Sequence, residues 1–365
     1  MHIEPYDGGQ SGWLIQNIAA GVMNITAITP ENIGGREVLR LRGSLRLEPD
    51  QAYAYLAPRL REIGLTAILR EDREGVSLLV APGNFVAARS RLWVALLLFC
   101  LTVISTIFIG GLTAEGFSLG LGLAYSAALL SILLAHELGH FLVARRLGVN
   151  VSYPFFIPVP LPPLGTMGAF IAMKEPPPDR RALLQIAIAG PLAGLIVTIP
   201  VLALGLSLSE LPPPVAVPPD GTMTVGNSLL YAAIKIAVFG EFVPNSDVGL
   251  VLHPVAFAGW AGLLVTGLNL IPAGQLDGGH IFYALFGPRI AWIGTWFIAT
   301  ILLALGWLWG GWYLWAFLIL VLGRQHAPLL NELTPLDFRL KLLAIFGLLV
   351  FVLVFTPAPL AVVLP

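Results

Sequence analysis

The chain has 365 residues, 57% of them apolar and only 11% Asp, Glu, Lys or Arg, with a formal net charge of −1 and a mean hydropathy of +0.84. That balance excludes an ordinary soluble domain and points to a polytopic helical membrane protein. With charge near zero and bases in short clusters, not on a continuous face, nucleic acid is not an expected partner.

Residues 1–30 have neither a basic segment followed by an apolar one nor the Arg/Ser-rich, acid-poor make-up of a transit peptide, so the amino terminus is expected to stay on the side where the chain is made. Residues 1–88 hold nearly half of the acidic residues and read as a small soluble α+β domain. A helix is predicted over 11–24. A strand is predicted over 36–47, with Leu39, Leu41, Leu45 and Leu47 on one face and Arg36, Arg40, Arg42 and Arg46 on the other. Residues 49–63 form an amphipathic helix through Leu56, Leu60 and Ile63, and 65–71 with 75–81 form a hairpin across Asp72, Arg73, Glu74 and Gly75. The expectation is a helix packed on a three- or four-stranded antiparallel sheet.

Residues 89–365 read as a transmembrane domain. The stretches 92–114, 116–135, 182–209, 248–276, 290–323 and 342–365 contain no Asp, Glu, Lys or Arg, and each is long enough for a span at about 20 residues per crossing. Cys100, the single cysteine, lies in the first of these, which rules out an intrachain disulfide and gives it the reading of a small buried hydrophobe. Spans are predicted at about 92–113, 117–146, 182–207 and 253–275. Two shorter crossings within 290–323 turn at Gly310 and Gly311 among Trp307, Trp309, Trp312 and Trp315, and a last span lies near 342–357, for seven in total. Arg89 and Arg91 before the first span and Arg145 and Arg146 after the second place the amino terminus in the cytoplasm, in what reads as a bacterial cytoplasmic membrane. Lys174, Arg180 and Arg181 keep 147–181 inside, whereas Glu210, Asp220, Glu241 and Asp247 against Lys235 suit the outer side. The apolar piece 227–240 either lies at the interface or dips into the bilayer.

The second predicted span contains three side chains that a bilayer rejects, His136, Glu137 and His140, in the order H-E-L-G-H. One ionised group at mid-membrane costs about 2.5–3.5 kcal/mol on insertion scales, so such a cluster reads as a functional site. Residues four apart share a helix face, which lets the two imidazoles bind one cation while Glu137 faces the same cavity. This is the zinc-hydrolase pattern of two neutral histidines and a carboxylate base, and it calls for one more protein ligand.

Asp277 is the candidate, the only carboxylate between Asp247 and Glu332. It lies in the stretch 269–280, N-L-I-P-A-G-Q-L-D-G-G-H, where Pro272, Gly274 and the pair Gly278 and Gly279 are expected to break the span. Its depth agrees: His136 is nine residues before Arg145 and Asp277 twelve before Arg289, roughly 14 and 18 Å of helix. His280 is an alternative ligand or a supporting partner. Asn269 either donates to a carbonyl or developing oxyanion near the metal or makes an interhelical hydrogen bond. His2, His253 and His326 read as unrelated to the metal, and the aromatic stretch 307–317 as an interfacial anchor.

On these two motifs the chain resembles the site-2 proteases, intramembrane zinc metalloproteases marked by H-E-x-x-H in one span and N-x-x-P-x-x-x-L-D-G in a later one. Both are complete here, at 136–140 and 269–278. The resemblance implies His136, His140 and Asp277 as ligands of Zn²⁺ and Glu137 as the catalytic base. It is strongest to the plant-plastid and bacterial branch with an amino-terminal soluble domain, whose G-N-L-R element is similar to Gly43-Ser44-Leu45-Arg46 here, with serine in place of asparagine. Neither 147–181 nor 208–250 is long enough for the PDZ domain of many relatives.

The expected activity is zinc-assisted hydrolysis of peptide bonds within or near the spans of membrane proteins. The substrates implied are single-span proteins in the lipid bilayer, already trimmed by another protease. Tyr153–Val159 and Gly165–Met173 are expected to form a hairpin whose free edge, at Gly168 and Ala169, holds the unwound substrate as an added strand; a plain connecting loop is the alternative. A divalent-metal transporter or sensor is the competing function. It is disfavoured because no internal repeat is visible and the acidic residues of the apolar core are confined to Glu137 and Asp277.

Overall fold

The computed structural model describes residues 10–33, 36–72, 75–83, 91–113, 115–213, 223–245, 249–323 and 329–362. His2, Arg73, Glu74, Arg89, Asp220, Asp247 and His326, named above, lie outside them. The chain divides into two compact units, one of Met1–Ala88, Met173–Leu183 and Ala327–Asp337 and the other of Arg89–Ala172, Leu184–His326 and Phe338–Pro365. The first is wider than the expected 1–88 domain, because two segments from the region read as transmembrane belong to it.

In the first unit the order is α1 (Gln10–Ala20), β1 (Met23–Ile33), β2 (Arg36–Leu45), α2 (Pro49–Glu62), β3 (Leu65–Asp72) and β4 (Gly75–Pro82). The strands make one antiparallel sheet in the order β1-β2-β4-β3. The helix expected over 11–24 stops at Ala20, since the β-branched alternation from Asn24 to Thr29 favours a strand that the periodicity over 11–24 had hidden. Leu39 and Leu41 of β2 are buried with Leu56 and Leu60 of α2. On the opposite face Arg40 pairs with Glu31 at 2.9 Å and Arg42 with Asp72 at 3.0 Å. Ile63 was expected in the core but is exposed, just past the end of α2. Gly43 lies opposite a β1 bulge, where a Cβ would run into the backbone carbonyl of Asn24, so only glycine fits there.

The two additional segments join this unit by main-chain pairing. Residues 330–332 lie beside the outer edge of β3, with Leu69 N–H donating to Leu330 O at 2.8 Å and Glu332 N–H to Leu69 O at 3.0 Å. Leu333 packs on the core.

The second unit begins with α3 (Leu92–Gly111), the two-residue strands β5 (Leu112–Thr113) and β6 (Gly116–Phe117), and α4 (Leu119–Arg146). A hairpin follows, β7 (Phe155–Pro158) and β8 (Thr166–Phe170), paired antiparallel from Phe155↔Phe170 to Pro158↔Thr166. Then come α5 (Arg180–Ser207), whose first turn belongs to the first unit, β9 (Met223–Val225), α6 (Leu229–Phe239), α7 (Pro254–Asn269) and α8 (Asp277–Phe286). The chain closes with α9 (Pro288–Leu305), α10 (Gly311–Leu322), α11 (Phe338–Val354) and β10 (Leu360–Val362), which pairs with β9.

Among the described residues α3, α4, α5 and α9 are long and apolar enough to cross a membrane, and α6, α7 and α10 are shorter apolar helices. The stretch read as one span over 253–275 ends as a helix at Asn269, because Pro272 and the left-handed Gly274 interrupt it. Gly278 and Gly279, by contrast, do not break anything: they lie in the first turn of α8. Their value is close approach, since a Cβ at either would run into the carbonyls of Leu270 or Gly274.

Small residues let the helices of this unit meet backbone to backbone, as in membrane bundles generally. A Cβ at Gly122 would strike Ile107 O, and Thr106 Oγ1 and Ser126 Oγ lie 2.7 Å apart in the buried α3–α4 interface. Cys100 faces outward on α3 and is exposed, contrary to its reading as a buried hydrophobe. The aromatic stretch divides between two environments. Trp307 is exposed, whereas Trp312 is buried with its Nε1–H donating to Pro357 O at 2.7 Å.

Candidate metal centre

Helix α4 places His136, Glu137 and His140 on its inner face, all buried. Asp277 is brought to them by the broken helix: α7 ends at Asn269, residues 270–276 turn, and α8 starts on Asp277. Within that turn Ile271 and Ala273 are buried, packed against Trp312, Ala316 and Ile319 of α10 and Leu302 of α9. Its Gly274 N–H donates to the buried Thr295 hydroxyl of α9 at 3.1 Å.

Three atoms converge. His136 Nε2 and His140 Nε2 are 3.2 Å apart, and Asp277 Oδ2 is 3.3 Å from the first and 3.2 Å from the second. Donors each about 2.0–2.1 Å from one tetrahedral zinc ion lie ~3.3–3.4 Å from one another, so the spacing fits that ion without rearrangement. The tautomer fits too. His140 Nδ1–H donates to the Ile186 carbonyl of α5 at 2.7 Å, which leaves the Nε2 lone pair pointing at Asp277.

Glu137 stands beside this group but outside it. One side of its carboxylate accepts from the Ile171 backbone N–H, just past the end of β8. Its buried Oε2 has no hydrogen-bond partner. A buried carboxylate oxygen without a hydrogen-bond partner beside three converging donors fits a site that would take a metal ion.

Asn269 Nδ2 is 3.3 Å from His136 Nε2, which puts the amide at the rim of the donor triangle. His280 follows Asp277 by one helical turn and is not a member of the converging group. His253 instead caps α7, its Nδ1 accepting from Val255 N–H at 3.2 Å. Gly168 and Ala169 lie in β8, Gly168 with a φ of +97° and Ala169 opposite Phe156. The hairpin is held in place by Ser105 Oγ–H donating to Gly165 O at 2.6 Å and Tyr125 O–H to Leu164 O at 2.9 Å.

The sequence reading missed α5 as part of the centre. Besides the Ile186 carbonyl, it supplies Gly190, where a Cβ would overlap the His140 ring, and Gly194, where a Cβ would lie 3.3 Å from His136 Cβ and Nδ1. The signal was the four-residue spacing of Gly190 and Gly194 within an apolar run, the pattern of closely packed membrane helices.

Residues 124–305 match the profile of peptidase family M50, and that range contains α4, the broken helix and all four of the residues His136, Glu137, His140 and Asp277. These residues form a peptidase family M50 domain. The chain is 36% identical over 244 residues to the probable zinc metalloprotease EGY1, chloroplastic, of Arabidopsis thaliana, an alignment covering 65% of this chain and 43% of that one. With the probable zinc metalloprotease EGY2, chloroplastic, of the same plant it shares 35% identity over 238 residues, 63% of this chain and 41% of the relative. The Oryza sativa subsp. japonica EGY1 is also 35% identical, over 234 residues, covering 62% and 39%. The chain thus spans about two-fifths of the length of these curated relatives. No solved structure matches it. The M50 domain, with its apolar helices, makes this a membrane-embedded, mostly helical protein with a small α+β unit.

Proposed function

We propose that the protein is a zinc-dependent intramembrane endopeptidase. The observation that carries this is the triangle of His136 Nε2, His140 Nε2 and Asp277 Oδ2 with the unpartnered Glu137 Oε2 beside it. His136, His140 and Asp277 hold the zinc ion. When bound, zinc polarises the scissile carbonyl and makes water acidic enough to lose a proton near neutral pH. Glu137 takes that proton from the attacking water and returns it to the leaving amine. The Asn269 amide donates to the oxygen on which charge develops.

The substrates are single-span membrane proteins. A peptide bond in a helix is shielded by the helix's own hydrogen bonds, so it must be unwound before attack. Strand β8 pairs only with β7 among the described residues, and its continuation at Ile171 touches Glu137. A substrate laid along the free edge of β8, past Gly168 and Ala169, exchanges its helical hydrogen bonds for sheet ones next to the base.

Seven crossings are proposed, made by α3, α4, α5, the broken α7–α8 pair, α9, α10 and α11. Arg91, Arg145 and Arg146 mark the cytoplasmic side, which puts the amino terminus there, and the membrane in our reading is the bacterial cytoplasmic one. The soluble part, read from sequence as 1–88 beside a transmembrane domain 89–365, takes the place of a PDZ domain in selecting substrates.

The test is incubation of detergent-purified protein with a panel of single-span substrates, with and without chelator, and mass mapping of the fragments. Chelator-sensitive cleavage inside a span is the expected result. One tightly held zinc per chain with metal transport and no cleavage favours the transporter.

A further inference from the structure

The segment that enters the amino-terminal unit, Met173–Leu183, is bounded on both sides by backbone groups that touch the metal centre. Ile171, two residues before it, donates its N–H to Glu137. Ile186, three residues after it, accepts from His140 Nδ1–H at 2.7 Å. The base and one metal ligand are therefore held from the two ends of one segment, 171–186, which runs from the end of β8 into the first two turns of α5, and the middle of that segment is paired elsewhere.

Asn331 fixes it. By main-chain pairing it stands between β3 and the start of α5, bridged in parallel to Leu69 on one side and to Asp179 on the other. Its N–H donates to Pro178 O at 2.7 Å, and the neighbouring Leu330 N–H donates to Pro177 O at 3.2 Å. Its side-chain amide donates to Pro49 O at 3.1 Å and to Thr334 Oγ1 at 2.7 Å, and its Oδ1 accepts from Leu333 N–H at 3.0 Å. Asn331 is itself 2% exposed and its bond to Thr334 Oγ1 is buried, a setting in which an unmade partner is costly. Asp179 is also the cap of α5: its carboxylate accepts from Ala182 N–H at 2.8 Å. From that cap to Ile186 is less than two helical turns.

We propose that Asn331 is a positioning residue for the metal centre, acting through segment 173–183, whose place in the amino-terminal unit it fixes. A backbone carbonyl that orients a ligating imidazole sets both its tautomer and its aim. A segment that drifts at 179 shifts the capped first turns of α5 that carry Ile186 and the chain leading back to Ile171, and the metal and the base lose their alignment together. On this view the 327–337 segment is the handle through which the amino-terminal unit governs the site. The effect on turnover rests on the protease reading given above, but the effects on the backbone and on zinc do not.

The test uses the full chain in detergent, with Asn331→Ala. Amide exchange is followed at Ile171 and over 184–190 in the metal-free protein, and the Zn²⁺ dissociation constant is measured by chelator competition. The expected result is exchange at Ile171 at least ~5-fold faster and a zinc dissociation constant raised about 10-fold, with the amides of β2 and β4 unchanged. Thr334→Val, which removes one acceptor of the Asn331 amide, shifts both readouts in the same direction by less, and Thr334→Ser restores them. Wild-type exchange at Ile171 and wild-type zinc affinity, in an Asn331→Ala protein whose 329–333 amides exchange freely, overturn the proposal. If Asn331→Ala unfolds the amino-terminal unit, the Thr334 pair decides: Val and Ser variants alike in both readouts overturn it equally. A wild-type protein that binds zinc but cuts nothing defeats the protease reading, and the exchange and zinc data still judge the coupling.

Discussion

Gly190 offers a sharp test of how the metal centre is built. A Cβ there would lie 2.6 Å from His140 Cε1 and closer still to Nε2 and Cδ2, on the side of the ring that faces the metal. Ordinary carbon contact begins at about 3.5 Å, so in Gly190→Ala even the farthest of these ring atoms must retreat by roughly 0.9 Å and the nearer ones by more, several times the ~0.2 Å that metal–ligand distances tolerate. Helix α5 has little room to yield instead, because its Ala189 carbonyl already lies against Gly139 of α4, at 2.5 Å from where a Cβ would be. Overpacking of this kind costs about 1–3 kcal/mol. Borne by the bound state, that corresponds to a zinc dissociation constant raised about 5- to 150-fold. Gly194→Ala is the matched control: its Cβ would meet His136 Cβ and Nδ1 at 3.3 Å, a contact that a few tenths of an ångström relieve, and the expected change is under about threefold. Chelator competition gives both constants, and circular dichroism checks that each variant keeps its helices. Equal zinc affinity in the two alanine variants, both folded, would refute the claim that α5 seats His140 by close approach.

Glu137→Gln is expected to keep zinc, since Glu137 is not among the converging donors, and to lose turnover by about 10²–10⁴-fold; single-turnover cleavage alongside metal counting checks both halves. Asp277→Ala should release zinc at chelator concentrations that leave the wild type loaded, because two imidazoles alone rarely complete a catalytic site. Gly168→Pro, at a φ of +97° with an N–H that donates to Thr166 Oγ1 at 3.0 Å, should abolish cleavage while zinc stays bound; unchanged cleavage counts against substrate addition to β8. In the amino-terminal unit, burial pushes the Tyr53 phenol up to about 12, with Asp179 adding to the shift and Arg61 opposing it. Folding therefore keeps a proton that the unfolded chain loses near pH 10, and the unit's stability from this group is intact below pH 10 and falls away between 10 and about 12. An absorbance titration of the wild type against Tyr53→Phe should show one phenol ionising late.

The candidate metal centre was legible in the sequence because its residue types violate their surroundings. His136, Glu137 and His140 stand out in an apolar run, and Asp277 stands out in another, since hydrocarbon tolerates such groups only where they work. The long apolar helices were legible for a related reason: inside hydrocarbon a charge-free stretch of 20 residues leaves the backbone little choice but a helix. Shorter elements were less so. The first strand hid inside a window that also carried helical spacing, and Ile63 matched the amphipathic pattern of α2 yet fell past its end, where it is left exposed.

What the sequence determined by itself was which side chains could make up the candidate site and where the apolar runs lie, because both depend on which residues are present and on spacings of a few positions. What only the tertiary structure decided was who holds that chemistry in place. The Ile186 carbonyl, the Ile171 N–H, the glycine spacing of α5 and the Asn331 network are backbone groups, small residues and a neutral amide, none of which advertises a role along the chain. Their effect depends on contacts between segments as far apart as Pro49 and Asn331. Such contacts join segments that are distant along the chain, which no local pattern encodes.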